Sequence, residues 1–100
     1  MNRIVFDPDA RREFLAAVAY YESCQPGLGE RFSEVVEAAA RRIGEMPLKY
    51  RVIRHPFRRC IVPHFPYGIL YTIRPEHILI VAIAHAKRKP GYWLKRTKLH

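Results

Sequence analysis

The residues from Ile78 to Ala84 form an unbroken apolar run, Ile-Leu-Ile-Val-Ala-Ile-Ala, and this run limits the folds that are open to the chain. It is far shorter than the roughly 20 apolar residues that a membrane-spanning helix needs. Its length and its β-branched residues favour a strand. Because consecutive side chains of a strand point to opposite faces, a strand without polar positions has to be buried on both faces. The run therefore predicts a central strand of a sheet.

The first half of the chain shows helical periodicity. Asp7 is a natural helix N-cap and Pro8 suits the first helical position, so the first helix is predicted from there to about Glu22. A second helix is predicted from about Gly27 to about Glu45, after the breaker Cys-Gln-Pro-Gly-Leu-Gly. The apolar stripes that carry the two helices are Phe14, Leu15, Val18 and Tyr21 in the first, and Leu28, Phe32, Val35, Val36, Ala39, Ile43 and Met46 in the second. Two helices joined by a short turn predict an antiparallel hairpin.

The second half of the chain has the composition of strands, because segments rich in Val, Ile, Tyr and Phe alternate with groups that contain proline. The predicted strands are Arg3–Phe6, Tyr50–Arg54, Arg59–Phe65, Tyr67–Ile73 and Ile78–Ala84. The pattern from Gly68 to Ile73 favours one face that is wetter than the other. The order β-α-α-β-β-β-β predicts an α+β fold, in which the helical hairpin packs on one face of a small, mostly antiparallel sheet.

The opposite face of the sheet is expected to stay open to carry function, together with the end of the last strand. The tail from Pro90 to His100 is expected to form a turn of helix that docks through Tyr92, Trp93 and Leu94.

Charge is distributed unevenly along the chain. Residues 1–40 hold four Lys/Arg and seven Asp/Glu, a net charge of −3, whereas residues 41–100 hold fourteen Lys/Arg and two Asp/Glu, a net charge of +12. A segregated excess of this size favours an anionic partner, either nucleic acid or an acidic protein segment.

The remaining composition narrows the class of protein. A chain of 100 residues that is 49% hydrophobic corresponds to one ordinary globular domain, residues 1–100. The start lacks the layout of a signal peptide, so we expect a cytoplasmic protein that does not act in a membrane. Cys24 and Cys60 are expected to be reduced thiols. The five histidines are scattered, so we expect no metal site and no cofactor.

The order of these elements and a set of local motifs resemble the ParE/RelE superfamily of toxins from bacterial type II toxin–antitoxin systems. The residues that carry the resemblance are, in chain order, Pro26-Gly27-Leu28-Gly29, Phe32, Arg58-Arg59, Phe65-Pro66-Tyr67, Tyr71, Ile83-Ala84-His85, Arg88 and Pro90-Gly91-Tyr92-Trp93. The resemblance covers nearly the whole chain and looks closest to the ParE-like, plasmid-stabilisation branch. It implies a cognate antitoxin as partner and DNA gyrase as a target that is inhibited by direct binding.

The RelE-like branch of the same superfamily implies a second function, the cleavage of messenger RNA on the ribosome. Such a reaction needs a base, an acid and cations that stabilise the phosphorane. The candidate residues for this alternative are Arg59, His85, Arg88 and Tyr92. No pair among them is forced by spacing into base-and-acid geometry, so whether the chain is an enzyme stays open, with a non-catalytic inhibitor favoured. A fold alone does not decide between these functions.

The candidate residues for target binding are Arg58, Arg59, Lys87, Arg88, Lys89 and Tyr92. Arg58 and Arg59 are adjacent on a strand, so one is expected on the functional face and the other as a solvated charge at the rim. The run from Lys87 to Lys89 is either a solvated strand end or a contact surface. His85 is expected to pin the strand end to the tail. The aromatic pair that follows Pro90 either anchors the tail or stacks on bases, with the anchor favoured.

Overall fold

A computed structural model describes residues 2–99, and the side chains of residues 2–96. Its elements are β1 (Ile4–Phe6), α1 (Pro8–Cys24), α2 (Leu28–Glu45), β2 (Arg51–Arg54), β3 (Phe57–Ile61), β4 (Tyr67–Ile73), β5 (Ile78–His85) and a final 3-10 helix (Leu94–Leu99). The predicted order of elements is confirmed, and β4 has the predicted bounds. The strand predicted from Arg59 instead begins at Phe57 and ends at Ile61, because a turn with a positive φ at His64 follows. His100, the last residue of the predicted tail, lies outside the described residues.

The five strands form one sheet in the order β1-β5-β4-β3-β2. Only β1 and β5 are parallel, and every other neighbouring pair is antiparallel. The apolar run therefore lies in an interior strand between β1 and β4, as predicted. Residues Ile78–Ile83 are buried at every position. Within residues 2–99, no helix is long and apolar enough to span a membrane.

The helical hairpin packs tightly where its two helices meet. The Glu22 carboxylate of α1 accepts hydrogen bonds from the backbone N–H groups of Gly27 (2.9 Å) and Gly29 (3.1 Å), which belong to the start of α2. It therefore satisfies amides that have no partner inside the helix. A Cβ atom on Gly29 would lie only 2.5 Å from the Val18 carbonyl oxygen. The absence of a side chain at this position is what lets the helices approach.

The face of the sheet beneath the hairpin holds the larger core. Phe32, Val36 and Ile43 of α2 are fully buried against the sheet. Two predicted members of the apolar stripes are instead exposed, Leu15 by 50% and Met46 by 58%. Leu15 follows Phe14 directly, and one residue turns about 100° around a helix, so it points away from the face that Phe14 packs against.

The opposite face of the sheet, here called the tail face, is partly covered by the segment after β5. Trp93 is 4% exposed and packs edge-on against Phe57, with ring centroids 4.8 Å apart. Around it lie Leu70, Leu79, Val81 and Ala82. The expectation that this face is open is therefore wrong in part. The wetter face predicted for β4 is wrong as well, because residues 68–72 are all buried between the hairpin and the tail.

The docking of the tail by Trp93 is confirmed. The two cysteines are free in the structure, with Cys24 exposed and Cys60 buried in the core beneath the hairpin.

Replacing Gly29 with alanine should destabilise the protein, even though alanine is the better helix former by about 1 kcal/mol. The new methyl group would meet a backbone oxygen at 2.5 Å, and overpacking of this kind costs roughly 1–3 kcal/mol. Thermal unfolding followed by circular dichroism measures the change. Gly44→Ala is the comparison variant and should lose less stability, because its nearest contact, the Asn2 carbonyl oxygen, would lie at 3.3 Å and has to give by only a few tenths of an ångström. Equal or greater stability of Gly29→Ala would refute the close-approach argument.

Candidate functional site

The two adjacent arginines of β3 lie on opposite faces of the sheet, as strand geometry predicts. Arg58 pairs across the ladder with buried Tyr71 on the hairpin side. Its guanidinium donates hydrogen bonds to the carbonyl oxygens of Tyr50 (2.7 Å) and Leu48 (3.2 Å). The expected rim charge is therefore half-buried and bonded, and it fixes the connection between α2 and β2. Arg59 is the exposed member of the pair and lies on the tail face.

The side chain of Arg59 packs over Gly68 on the neighbouring strand. A Cβ atom on Gly68 would lie 3.1 Å from the Arg59 Cδ and 3.2 Å from its Cγ. The side chain of Arg59 therefore lies across β4 close against Gly68, and a side chain at position 68 would require it to shift by a few tenths of an ångström. Among the described residues, Arg59 has no hydrogen bond or ion pair that would neutralise its charge.

A turn directly after β5 carries three exposed cations, here called the basic turn: Lys87, Arg88 and Lys89. His85 closes this turn. Its Nδ1 accepts a hydrogen bond from the Lys87 backbone N–H (3.0 Å), and its carbonyl oxygen accepts one from the Arg88 backbone N–H (2.9 Å). The His85 ring also packs edge-on against Tyr67 at 5.1 Å. The histidine thus shapes the turn at the end of the strand.

The carboxylate of Glu13, in the middle of α1, ties the tail to the rest of the molecule. It accepts two hydrogen bonds from the Arg96 guanidinium, both 2.9 Å long, and one from the Tyr92 hydroxyl at 2.5 Å. It also accepts the backbone N–H of Ile83 at 3.0 Å, and Arg88 lies 3.9 Å away. Helix, central strand and tail therefore meet at one charged group.

Sequence reasoning overlooked Glu13 and Arg96. The sequence carried part of the signal, because helical spacing puts Glu13, three residues after Ala10 and four before Ala17, on one stripe with both alanines; that this stripe is buried is seen in the structure. Helical spacing thus places a carboxylate within the buried stripe, and a buried charge needs a partner. That partner, Arg96, lies 83 residues away in the sequence, so no local sequence pattern could have identified it.

Tyr92 is held between two guanidinium groups. Arg88 lies over its ring at 3.8 Å from the centroid, and Arg96 lies at 5.0 Å. Burial, followed by the hydrogen bond to Glu13, raises the pKa of Tyr92 above its ordinary value. The hydrogen bond to Glu13 likewise raises the pKa of Arg96. The Tyr92 hydroxyl donates its hydrogen bond to Glu13, and the residue thereby acts as an anchor of the tail.

Between the basic turn, the tail and strands β3 and β4 lies a cavity of about 290 Å³. Ile61, Leu70, Ala84 and Trp93 contribute apolar surface to it. Of the predicted site residues, the cavity collects Arg59, His85, Arg88, Lys89 and Tyr92. Lys87 is exposed in the same turn but outside the lining, and Arg58 lies on the other face of the sheet. No Asp or Glu belongs to the described lining of the cavity.

The arrangement of the described side chains does not support the binding of a metal ion. Across the part of the chain whose side chains are described, no three His, Cys, Asp or Glu residues are grouped to hold an ion. The cavity offers cations and apolar surface instead, which suits the binding of an anionic partner.

Comparisons with known proteins agree with this architecture. Residues 4–90 match the profile of a family described as the ParE toxin of the type II toxin–antitoxin system parDE. A solved structure described as the chromosomal ParDE toxin–antitoxin system from P. aeruginosa superposes with a TM-score of 0.75 at 11% sequence identity. The superposition covers 85% of this chain and 96% of that one, and at this identity it establishes the fold alone. No curated protein sequence matches the chain.

Replacing Glu13 with glutamine should loosen the tail. The amide keeps the size of the side chain but loses the charge that two arginines and a tyrosine share, and hydrogen bonds to charged groups contribute roughly 1.5–3 kcal/mol. We expect a lower melting temperature and faster amide hydrogen exchange in residues 83–96. Glu37→Gln on the exposed face of α2 is the control and should shift stability by no more than about 0.5 kcal/mol. Unchanged exchange in the tail of Glu13→Gln would contradict this role.

Proposed function

The chain belongs to the ParE toxin family of type II toxin–antitoxin systems, and on that premise we propose that it inhibits DNA gyrase in the cytoplasm by direct binding. Membership of the family implies an antitoxin as partner. The proposal assigns to this antitoxin the neutralisation of the toxin, and to the tail face the contact with the target.

The observation that carries the proposal is a group of unneutralised cations around an apolar cavity. Within the described residues, the side chains of Arg59, Lys87 and Lys89 have no hydrogen bond or ion pair. Glu76 is the only side-chain carboxylate after Glu45, so this half of the chain has little charge of its own to compensate them. Such a surface attracts an acidic protein and accelerates its association.

Features of the same site weigh against the alternative, a ribosome-dependent endoribonuclease. General acid–base catalysis needs groups that are free to exchange a proton near neutral pH. The Tyr92 hydroxyl is held by Glu13 and its pKa is raised, and the hydrogen bond that Nδ1 of His85 accepts from the Lys87 backbone gives this histidine a structural role in the turn. The described lining of the cavity offers no carboxylate in their place. These facts favour binding over cleavage.

The antitoxin is proposed to bind elsewhere, on the outer side of the hairpin. Leu15 is exposed by 50%, and the exposed residues Ala16 and Ala19 lie on the same side of α1. An acidic segment that is disordered when free would fold onto this apolar strip. It would continue as an added strand along β2, which is the edge strand of the sheet and is exposed at all four positions.

The target assignment is tested by replacing Arg59, Lys87 and Lys89 with glutamine in one variant. These side chains make no hydrogen bond or ion pair within the described residues, and glutamine keeps part of the aliphatic stem of each, so the variant should fold normally. The concentration that half-inhibits supercoiling by purified gyrase should rise roughly tenfold or more, because electrostatic attraction is lost. A variant with Arg31, Arg41 and Arg42 changed to glutamine is the control, since it loses the same charge from exposed positions of α2.

The same proteins are then assayed on programmed ribosomes, where we expect no cleavage of messenger RNA. Codon-dependent cleavage by the wild type, with gyrase unaffected, would overturn the proposed function in favour of the endoribonuclease. Equal inhibition of gyrase by both variants would remove the tail face from the contact.

The antitoxin assignment is tested with the product of the neighbouring gene. Leu15→Glu places a charge in the apolar strip of α1 and should weaken binding by about tenfold or more, as expected for an apolar anchor of an interface. Isothermal titration calorimetry at physiological salt measures the affinity. Ile73→Glu, at an exposed residue of β4, is the matched control and should bind as the wild type does. Absence of binding by the wild type would refute the assignment of this partner.

A further inference from the structure

We propose that the cavity on the tail face is an anchor site for one large apolar side chain, carried by an acidic peptide segment of a protein partner. This inference rests on the proposed function, in that it names the chemistry by which the tail face recognises its target. It goes further, because it assigns specificity to an apolar pocket in addition to the charges around it.

The cavity is large enough to take an anchoring side chain. It measures about 290 Å³, at the lower end of the roughly 300–1,000 Å³ of small-molecule pockets, so the choice of a peptide depends on the chemistry of its walls. Its walls include Ile61, which is 68% exposed, and Ile53, which is 36% exposed on the edge strand β2. Large aliphatic side chains that stay exposed beside a cavity gain from burial by a partner.

The charges at the rim define the segment that surrounds the anchor. Arg59 and Lys89 line the cavity without a partner of their own in the described structure, and Arg88 stacks on Tyr92. Arg59 also stands directly opposite Arg51 of β2 across the ladder. Like charges in opposed positions destabilise a sheet, so a carboxylate bound between them would relieve this repulsion. The partner segment therefore carries acidic residues next to its apolar one.

A peptide suits this site better than a nucleic acid. Proteins that bind single strands stack bases on free aromatic faces. Here the Tyr92 ring lies against Arg88 and Arg96, and Trp93 is buried against Phe57. Phe65 also belongs to the aromatic cluster beneath the hairpin. The walls left exposed are aliphatic, and these suit a Leu, Ile or Met side chain of a peptide.

A direct test uses short synthetic peptides and the intact chain. The probe is acetyl-Asp-Glu-Leu-Glu-Asp-amide, and the comparison peptide has alanine in place of leucine. Trp93 is the only tryptophan and lines the cavity, so its fluorescence reports on occupancy. We expect saturable binding of the leucine peptide, with shifts in the NMR signals of residues 59–61 and 84–93. The alanine peptide should bind roughly tenfold or more weakly, because burial of the larger side chain is lost.

Matched variants locate the site. Ile61→Glu introduces a carboxylate at the cavity wall and should abolish binding of the leucine peptide. Ile73→Glu makes the same change at an exposed position of β4 that does not line the cavity, and it should bind the peptide normally. Equal affinity for the leucine and alanine peptides, or equal binding by the two variants, would overturn the anchor site. Displacement of the peptide by an oligouridylate that binds more tightly would overturn it in favour of RNA.

The outcome can be separated from that of the proposed function. If the leucine peptide binds in the cavity but gyrase is not inhibited, the anchor site stands and the target assignment fails. If gyrase is inhibited equally by wild type and Ile61→Glu, and the peptide does not bind, the target assignment stands and the anchor site fails.

Discussion

The carboxylate of Glu13 is the interaction on which the tail face depends. Its two oxygens accept hydrogen bonds from the Arg96 guanidinium, from the Tyr92 hydroxyl and from a backbone N–H of the central strand. Charge-assisted bonds of this kind are directional, so they fix the orientation of the tail as well as its position. Without them the tail would be held by the apolar contacts of Trp93 and by the bond from Arg96 to the Val81 carbonyl oxygen, so the cavity wall that the tail forms would be less firmly placed.

The sheet is a middle layer whose two sides are closed by different means. The hairpin covers one side through an extensive apolar core, which includes Phe32, Val36 and Ile43. A short segment covers the other side through Trp93 and the bonds to Glu13. A segment this small leaves part of the face uncovered, and the cavity lies where the cover ends. The position of the tail and the shape of the candidate site therefore depend on the same few contacts.

The faces of helix α1 differ. Its inner side supplies Glu13 to the tail, whereas its outer side leaves Leu15 exposed, and this residue is the one proposed to contact the antitoxin. In the second half of the chain, by contrast, several cations have no hydrogen bond or ion pair within the described residues, namely Arg59, Lys87 and Lys89. A protein gains no stability from such charges, and their mutual repulsion opposes compact structure. They are consistent with a surface that is completed by an acidic partner, which is the common feature of both proposals.

Local sequence patterns determined much of this protein. The seven-residue apolar run predicted a strand buried on both faces, and helical spacing predicted the hairpin, because both depend on the period of side chains along one element. Strand alternation likewise placed Arg58 and Arg59 on opposite faces. Only the tertiary structure decided which of them faces the cavity, since that depends on the side of the sheet that the hairpin covers. The tertiary structure also buries the face of β4 that the alternation predicted to be solvent-exposed. It brings Glu13 and Arg96 into contact across 83 residues. Such contacts arise when distant elements pack together, so the periodicity of side chains within a single element cannot predict them.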